Sequence, residues 1–426
     1  MFLRLPRGMR DVEPEEYRKI RYIYEKFAET VETYGFSLME PSSIEFFDTV
    51  SRKSGPQIRE EIYTFRDKSG RELALRFDLT VGLTRYVLSK PQLPLPIKLA
   101  AFSVMWRYDE PQFARYRSFY QWDAEIFGAD QRVAGGEIIG FSQDFLRRLG
   151  IKDAEVKVSS RALMNKLIEK YIPRADSIKI MRIIDKRDRI GLEKVRGLIS
   201  EEAGDKEGAS RLIEVISKPY DTSSIHDVLS EIDPEIVNLK CFRDLVDTVY
   251  LAESSGAKNI VIDLSVVRGL DYYDAVVFEV ASRRAPEVGA LVGGGSFTPL
   301  VTAFGGKIAA FGAAGGIERT IMVIDKLGIP YARIERKKLF IAYTKPDLIG
   351  YALKLAQTLR ENEVLCEIDL SGRKLDRQLK YAEKMGFKYV AIIGEREVKH
   401  ETVSLKNFET AEQIEVSLNE LITRFS

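Results

Sequence analysis

One stretch constrains this chain more than any other: WRYDEPQFARYRSFYQWDAEIFG, from Trp106 to Gly128. Apolar Ala101, Phe102, Val104 and Met105 lead into it, Ile126 and Phe127 close it, and its middle is polar and rich in arginine. The pattern reads as two strands joined by a loop. Guanidinium groups hold phosphate oxygens through paired, charge-assisted hydrogen bonds, so an arginine-rich loop between strands suits the phosphates of a nucleotide. On the returning strand Gln121, Asp123 and Glu125 stand two apart, and period-two alternation puts all three on one face. A charged face on an apolar strand is costly unless it meets a ligand or solvent. On these residues alone, an ordinary solvent-exposed hairpin fits as well as a binding site.

At 426 residues the chain exceeds one simple core, and roughly two to four domains are expected. The net charge is +1. Chains that coat nucleic acid nonspecifically are usually more basic, so any RNA contact must come from local patches, and DNA is not an expected partner. Cys241 and Cys366 lie far apart, match no metal-ligand spacing and read as reduced thiols. The only histidines, His226 and His400, are remote from every candidate motif, which argues against histidine acid–base catalysis and zinc chemistry. No apolar run has membrane-spanning length and the N-terminus lacks a signal-peptide core. A soluble cytoplasmic chain with no membrane partner is expected.

Tyr17, Ile20, Tyr24, Phe27 and Val31 recur at helical spacing over residues 14–34. Residues 36–40 predict a strand, 43–50 a run towards a helix, and 62–65 with 72–77 a hairpin turning through 67–71. Residues 78–89 and 131–149 read as helices, 154–160 as a strand and 161–172 as a helix. From about 174 to 256 charged residues dominate and strand signals vanish, which predicts a helical module inserted into a larger domain; further helices of that same domain are the plainer alternative. Strand signals return at 259–267 and 276–282, glycines cluster at 293–295 and 305–306, and 311–327 reads as strand, glycine turn and helix. Beyond about 330 the pattern becomes strands at 339–343, 364–370, 389–394 and 401–406, alternating with helices at 346–362, 374–385 and 411–424. Such alternation predicts a small α/β domain with a mostly parallel sheet.

Three further constellations carry chemistry. In Leu75-Arg76-Phe77-Asp78-Leu79-Thr80 a carboxylate and a hydroxyl end a strand and open a helix. They could hold an ammonium group or simply cap the helix. In Val267-Arg268-Gly269-Leu270-Asp271-Tyr272-Tyr273 an arginine precedes a glycine and paired tyrosines, which in isolation read as core aromatics. In Gly315-Gly316-Ile317-Glu318-Arg319 glycines before a helix allow close approach of backbone and ligand, with an arginine in the first turn; a plain turn is the alternative.

Together these residues resemble the class II aminoacyl-tRNA synthetases, and in detail the histidyl-tRNA synthetases. The resemblance rests on Arg-aromatic-acid-x-Pro-Gln from Arg107, Arg115-Tyr116-Arg117, Gln121-x-x-x-Glu125, Arg268 to Tyr273 with Val277-Phe278-Glu279, and Gly-x-Glu-Arg at Gly316 to Arg319. It covers nearly the whole chain, most loosely at 174–256. It implies an α+β fold: a class II antiparallel-sheet catalytic domain over 1–330 with the inserted helical module at about 174–256, then a small α/β anticodon-binding domain over 331–426. It implies activation of L-histidine with ATP and Mg²⁺, and transfer of histidine to the 3′ end of its tRNA.

By this resemblance Asp78, Thr80 and Gln121 hold the α-ammonium, and Glu125 with Tyr273, beside Tyr272, brackets the imidazole. Arg107 and Arg268 are catalytic, at the α-phosphate, with Arg268 also at the substrate carboxylate. Arg115 and Arg319 grip the outer phosphates, Phe119 stacks on adenine and Asp109 faces its amino group. No metal ligands are assigned. Pro41 to Val50 matches the family's dimer element, so a homodimer is implied. Two departures stand out: Asp109 is shorter than the usual Glu, and Gly295-Ser296-Phe297-Thr298 replaces the Arg-Tyr-Asp that usually follows the glycine string, so no site is assigned there. A regulatory subunit of ATP phosphoribosyltransferase usually lacks both the C-terminal domain and the segment at 268–273. Another class II synthetase would not combine Glu125 with Tyr273, and a stress-kinase pseudo-synthetase would bring a kinase domain.

Overall fold

The computed structural model describes residues 3–52, 58–108, 116–267, 272–331 and 338–425. The chain divides into two compact units, Met1–Tyr331 and Ala332–Ser426.

The first unit is built on a nine-stranded sheet. Its order is Ser37–Leu38, Ile97–Trp106, Ser118–Phe127, Ala310–Gly316, Ala290–Ser296, Val276–Ser282, Ala154–Ser160, Ile260–Ile262 and Tyr220–Asp221. The central pairings are antiparallel, and parallel pairs occur only where Ser37–Leu38 meets the second strand and Ile260–Ile262 meets Ala154–Ser160. The α+β expectation with a largely antiparallel catalytic sheet holds. One face of the sheet is sealed by helices Pro14–Thr33 and Gln131–Arg148. Trp122, fully buried, meets Phe27, Phe141 and Phe145 there at ring-centroid distances of 5.4 to 5.9 Å. Within helix Pro14–Thr33 the buried stripe is Ile20, Ile23, Phe27 and Val31, whereas Tyr17 and Tyr24 are exposed. Alternation along Ser118–Phe127 sends Trp122, Ala124 and Ile126 to this apolar side, and therefore Gln121, Asp123 and Glu125 to the other.

Several expectations are corrected here. Residues 43–50 are not simply the approach to a helix: Ile44–Phe46 is a strand, paired with Leu73–Leu75, before helix Phe47–Ser51. The segment 174–256 is not purely helical, because Tyr220–Asp221 adds an edge strand to the main sheet. The segment shares the core of the unit: one hydrophobic cluster runs from Phe27 and Trp122 through Ile180, Val195 and Leu212 to Leu245. Helix Lys240–Ser254 lies directly against helix Gln131–Arg148. A Cβ on Gly136 would fall 2.7 Å from Leu251 Cβ, so glycine sets how closely the two backbones approach. The glycine cluster at 293–295, which carried no assignment, lies in the interior of strand Ala290–Ser296. A Cβ on Gly294 would sit 2.3 Å from Gly312 O and 2.6 Å from Phe278 Cε1, so these strands fit together only without side chains.

The second unit carries a five-stranded sheet ordered Cys366–Ile368, Leu339–Tyr343, Tyr389–Ile393, Thr402–Asn407 and Gln413–Ser417. The expected mostly parallel sheet is mixed, since the first two pairings are parallel and the last two antiparallel. The expected helix at 411–424 is in fact strand Gln413–Ser417, placed by Ile414 and Val416 against the core, followed by helix Leu418–Phe425. A Ser417–Glu420 exchange marks that helix start: Ser417 N donates to Glu420 Oε2 at 2.8 Å and Glu420 N to Ser417 Oγ at 3.3 Å.

Candidate active site

The polar face of the central hairpin forms the floor of a cavity of about 440 Å³ in the first unit. Register explains why there is room. Gln121, Asp123 and Glu125 stand between Ser103, Ala101 and Leu99 on one neighbouring strand and Gly316, Ala314 and Gly312 on the other. Cross-strand partners share a face, so small residues beside each polar side chain leave space above it. At Gly312 the requirement is strict, because a Cβ there would lie 1.4 Å from Glu125 Oε2.

One end of the cavity is acidic and deeply buried. Asp78, Asp123 and Glu125 are between 0 and 4% exposed. Thr80 Oγ1 lies 2.7 Å from Glu125 Oε1 and 3.1 Å from Asp123 Oδ2. A hydroxyl has one hydrogen to donate, so it serves one carboxylate at a time. Gln121 Nε2 donates to Asp123 Oδ1 at 2.8 Å. Asp78 Oδ1 accepts from Val81 N at 3.0 Å, capping helix Thr80–Leu88, while Asp78 Oδ2 and Glu125 Oε2 are buried without a hydrogen-bond partner. Asp78 thus steadies the helix start with one oxygen and also lines the cavity.

The cation beside this cluster is Arg107. Its Nε donates to Phe77 O at 2.9 Å, its Nη2 lies 3.5 Å from Gln121 Oε1, and its guanidinium stands 5.1 Å from the Phe119 ring. Burial raises all three carboxyl pKa values. Asp123 is pushed up to about 7 by desolvation, opposed by the Gln121 hydrogen bond and reinforced by the charge of Asp78. Glu125 is driven well above its ordinary range by desolvation and the charge of Asp123. Asp78 is raised by desolvation, against the Val81 hydrogen bond and Arg107. Buried acids in excess of their cations favour a positively charged ligand. Tyr272 and Tyr273, buried with ring centroids 5.0 Å apart, close this end.

The other end is lined by Tyr116, Phe119, Glu279, Glu318 and Arg319, with Asp185 from the 174–256 segment. Arg319 Nη1 donates to Ala290 O at 3.1 Å. Glu318 receives the Tyr120 amide at 3.1 and 3.2 Å on its two oxygens, tying helix Ile317–Lys326 to the central strand.

The fold thus gathers Asp78, Thr80, Arg107, Phe119, Gln121, Glu125, Tyr272, Tyr273 and Arg319 around one cavity, although they span more than half the sequence. Asp109, Arg115 and Arg268 lie outside the described residues. Sequence reasoning put Asp123 on this face without giving it a role, and it missed Tyr116, Glu279, Glu318 and Asp185 as lining residues. Asp185 carried no signal, since only tertiary packing brings its helix to the pocket. Where no site was assigned at 295–298, Phe297 lines the cavity. Ser296 turns instead to Asp274 Oδ1, at 2.6 Å, and to Gln131 Nε2, at 2.8 Å.

The family model for histidyl-tRNA synthetase matches residues 8–320, and that for an anticodon binding domain matches residues 338–426. The chain belongs to the histidyl-tRNA synthetase family. A histidine–tRNA ligase of Pyrococcus horikoshii is 34% identical over 98% of this chain and 97% of its own length. One from Methanocaldococcus jannaschii is 32% identical over 98% of each. The fold matches a histidyl-tRNA synthetase from Nostoc sp. PCC 7120 with a TM-score of 0.81 at 23% identity, over 99% of both chains. It also matches a Bacillus halodurans protein described as an ATP phosphoribosyltransferase regulatory subunit/histidyl-tRNA synthetase, with a TM-score of 0.75 at 22% identity, over 92% of this chain and 98% of that one.

Proposed function

We propose that this chain is a histidine–tRNA ligase, activating L-histidine with Mg-ATP to histidyl-adenylate and passing histidine to the terminal ribose of its tRNA. The observation that carries this reading is the buried acidic end of the cavity, roofed by two tyrosines and continuous with an arginine-bearing end. A zwitterionic amino acid with a basic side chain suits the first, and a triphosphate the second.

The histidine carboxylate attacks the α-phosphate in line and pyrophosphate leaves. The acceleration comes from positioning and from cationic groups facing a charged phosphoryl transition state. Asp78, Thr80 and Gln121 take the ammonium. Glu125, with the oxygen that lacks a partner, and Tyr273, beside Tyr272, take the imidazole nitrogens. A side chain unable to fill those bonds leaves buried polar groups unpaired, which is the basis of selection. Arg107 and Arg268 act on the α-phosphate, Arg115 and Arg319 on the outer phosphates, Phe119 on the adenine ring and Asp109 on its amino group. The roles of Asp109, Arg115 and Arg268 rest on the family resemblance alone. Mg²⁺ arrives with ATP. Among the described residues no group of three or more His, Cys, Asp or Glu side chains is placed to hold a metal ion, so no residue is assigned to the metal.

The unit from Ala332 onward is the anticodon-binding domain and Met1–Tyr331 the catalytic one, with 174–256 as its helical elaboration. A homodimer is supported by Ile44 and Phe46, both about half exposed within the Pro41–Val50 segment that matches the family's dimer element. A cytoplasmic location fits two free cysteines and, among the described residues, no helix long and apolar enough to cross a membrane. The relatives named as histidine–tRNA ligases favour this reading over a regulatory subunit.

The test is ATP–pyrophosphate exchange with each amino acid in turn. Exchange stimulated by histidine alone is expected. Histidine binding without exchange would bring the regulatory-subunit reading forward, and exchange with another amino acid would overturn the roles of Glu125 and Tyr273. The variant Arg268→Ala should lose adenylate formation severely while remaining folded; near-normal exchange would remove Arg268 from the α-phosphate.

A further inference from the structure

We infer that Arg10, far from the motifs in sequence, is a positioning residue for the ATP end of the cavity. The inference rests on the proposed synthetase reaction. Arg10 sits in the N-terminal segment ahead of the first helix, with only 16% of its side chain exposed. It touches three separate elements. Its Nη1 donates to Glu16 of helix Pro14–Thr33, its Nη2 donates to Glu318 Oε1 at 3.2 Å, and its guanidinium lies 4.0 Å from the centre of the Tyr116 ring. Glu318 and Tyr116 both line the cavity, and Glu318 directly precedes Arg319.

The surroundings show a built junction rather than a chance surface pair. Glu318 is 7% exposed and receives the Tyr120 amide on both oxygens. Its carboxylate is therefore met by the backbone amides of Tyr120 and of Glu318 itself and by one cation, Arg10. Beside it the N-terminal segment grips the strand entry: Arg117 N donates to Gly8 O at 3.0 Å, and Arg117 Nη1 donates to Arg7 O at 3.2 Å. Arg10 Nε is buried without a hydrogen-bond partner. A desolvated guanidinium group in that state is tolerated only where its other contacts fix it firmly. Removing the side chain frees Tyr116 from a cation–π contact and leaves the Glu318 carboxylate short of its counter-ion. Both changes fall on the wall beside Arg319 and Phe119. Neither falls on Asp78, Asp123 or Glu125. Arg10 therefore shapes the nucleotide end and leaves the amino-acid end untouched.

The experiment is histidine-dependent ATP–pyrophosphate exchange with full-length Arg10→Ala and Arg10→Lys, measured as separate ATP and histidine titrations alongside thermal melts. We expect Arg10→Ala to raise the KM for ATP about tenfold, with the KM for histidine within about twofold of wild type. Lysine, which keeps the charge and part of the ring contact, should restore about half of that loss on a logarithmic scale. Equal weakening of both KM values, or a fall in kcat alone with both unchanged, would overturn the inference and leave Arg10 a purely structural link. If Arg10→Ala proves too unstable to assay, Tyr116→Leu replaces it, with the same ATP-specific shift expected and an unchanged ATP KM counting against the inference. Absence of histidine-dependent exchange in the wild type would instead refute the proposed function, a different failure.

Discussion

Gly312→Ala is the sharpest test of how the pocket is made. Gly312 lies on strand Ala310–Gly316 and pairs with Glu125 on its neighbour. In an ordinary strand this exchange is mildly stabilising, by about 0.5–1 kcal/mol, because alanine loses less conformational freedom than glycine. Here the added Cβ would lie 1.4 Å from Glu125 Oε2 and 2.4 Å from its Cδ, whereas ordinary contact begins at 3.4 Å. The carboxylate must withdraw by about 2 Å from a site where Glu125 is 1% exposed. It cannot do so and keep its 2.7 Å contact with Thr80. A hydrogen bond to a charged group contributes about 1.5–3 kcal/mol, which corresponds to a loss of roughly ten- to a hundred-fold in kcat/KM for histidine. ATP–pyrophosphate exchange at varied histidine, with a thermal melt, measures both consequences. Gly316→Ala is the control, since a Cβ there meets nothing within 4 Å, and its melting temperature should match or slightly exceed wild type. An alanine at 312 that left histidine kcat/KM within about twofold of wild type would show that Glu125 does not need that space, and would refute the packing argument.

The pKa shifts give a signed pH effect. Asp123 is held at about 7 against an ordinary 3.8, so the fold binds this proton more tightly than the unfolded chain does. Its contribution to stability is present below about 4 and is lost as pH rises towards 7. Melts of the ligand-free protein from pH 5 to 8 should show this decline, and Asp123→Asn should flatten it; an unchanged slope in the variant would assign the effect elsewhere. Because a bound ammonium favours ionised carboxylates, histidine binding near pH 6 should release protons, which calorimetry in buffers of different ionisation enthalpy detects; proton uptake would contradict it. In the C-terminal unit, Lys374, Arg377, Lys380 and Lys384 are exposed on or at the start of one helix and make no ion pair among the described residues. Lys380→Glu with Lys384→Glu should raise the KM for tRNA and make it less steeply dependent on added salt, while pyrophosphate exchange stays unchanged; an unaltered tRNA KM would place the RNA contact on another face.

How much was legible beforehand depended on whether the signal was local. The hairpin at 97–127 was readable because one polar residue in two on Ser118–Phe127 contradicts burial unless that face holds a ligand. The start of helix Pro14–Thr33 and the turn at 67–71 were readable because proline and glycine fix them locally. The strand at Gln413–Ser417 was misread because Ile414, Val416, Leu421 and Phe425 satisfy both periods over a short run. The role of Gly312 left no trace in the sequence, since a glycine becomes necessary only when another strand aims a carboxylate at it.

The sequence by itself determined which residue types the chemistry could use: the arginines, the carboxylates two apart, the tyrosine pair and the glycines before a helix. Those are properties of single side chains and of short-range periodicity. Only the tertiary structure decided that Asp78, Glu125, Tyr273 and Arg319 share one cavity, that Asp185 and Arg10 belong to its surroundings, and that Asp78 stands close enough to raise the pKa of Asp123, and both of them that of Glu125. These outcomes depend on strand order, register and desolvation, which arise only when segments distant along the chain are packed together.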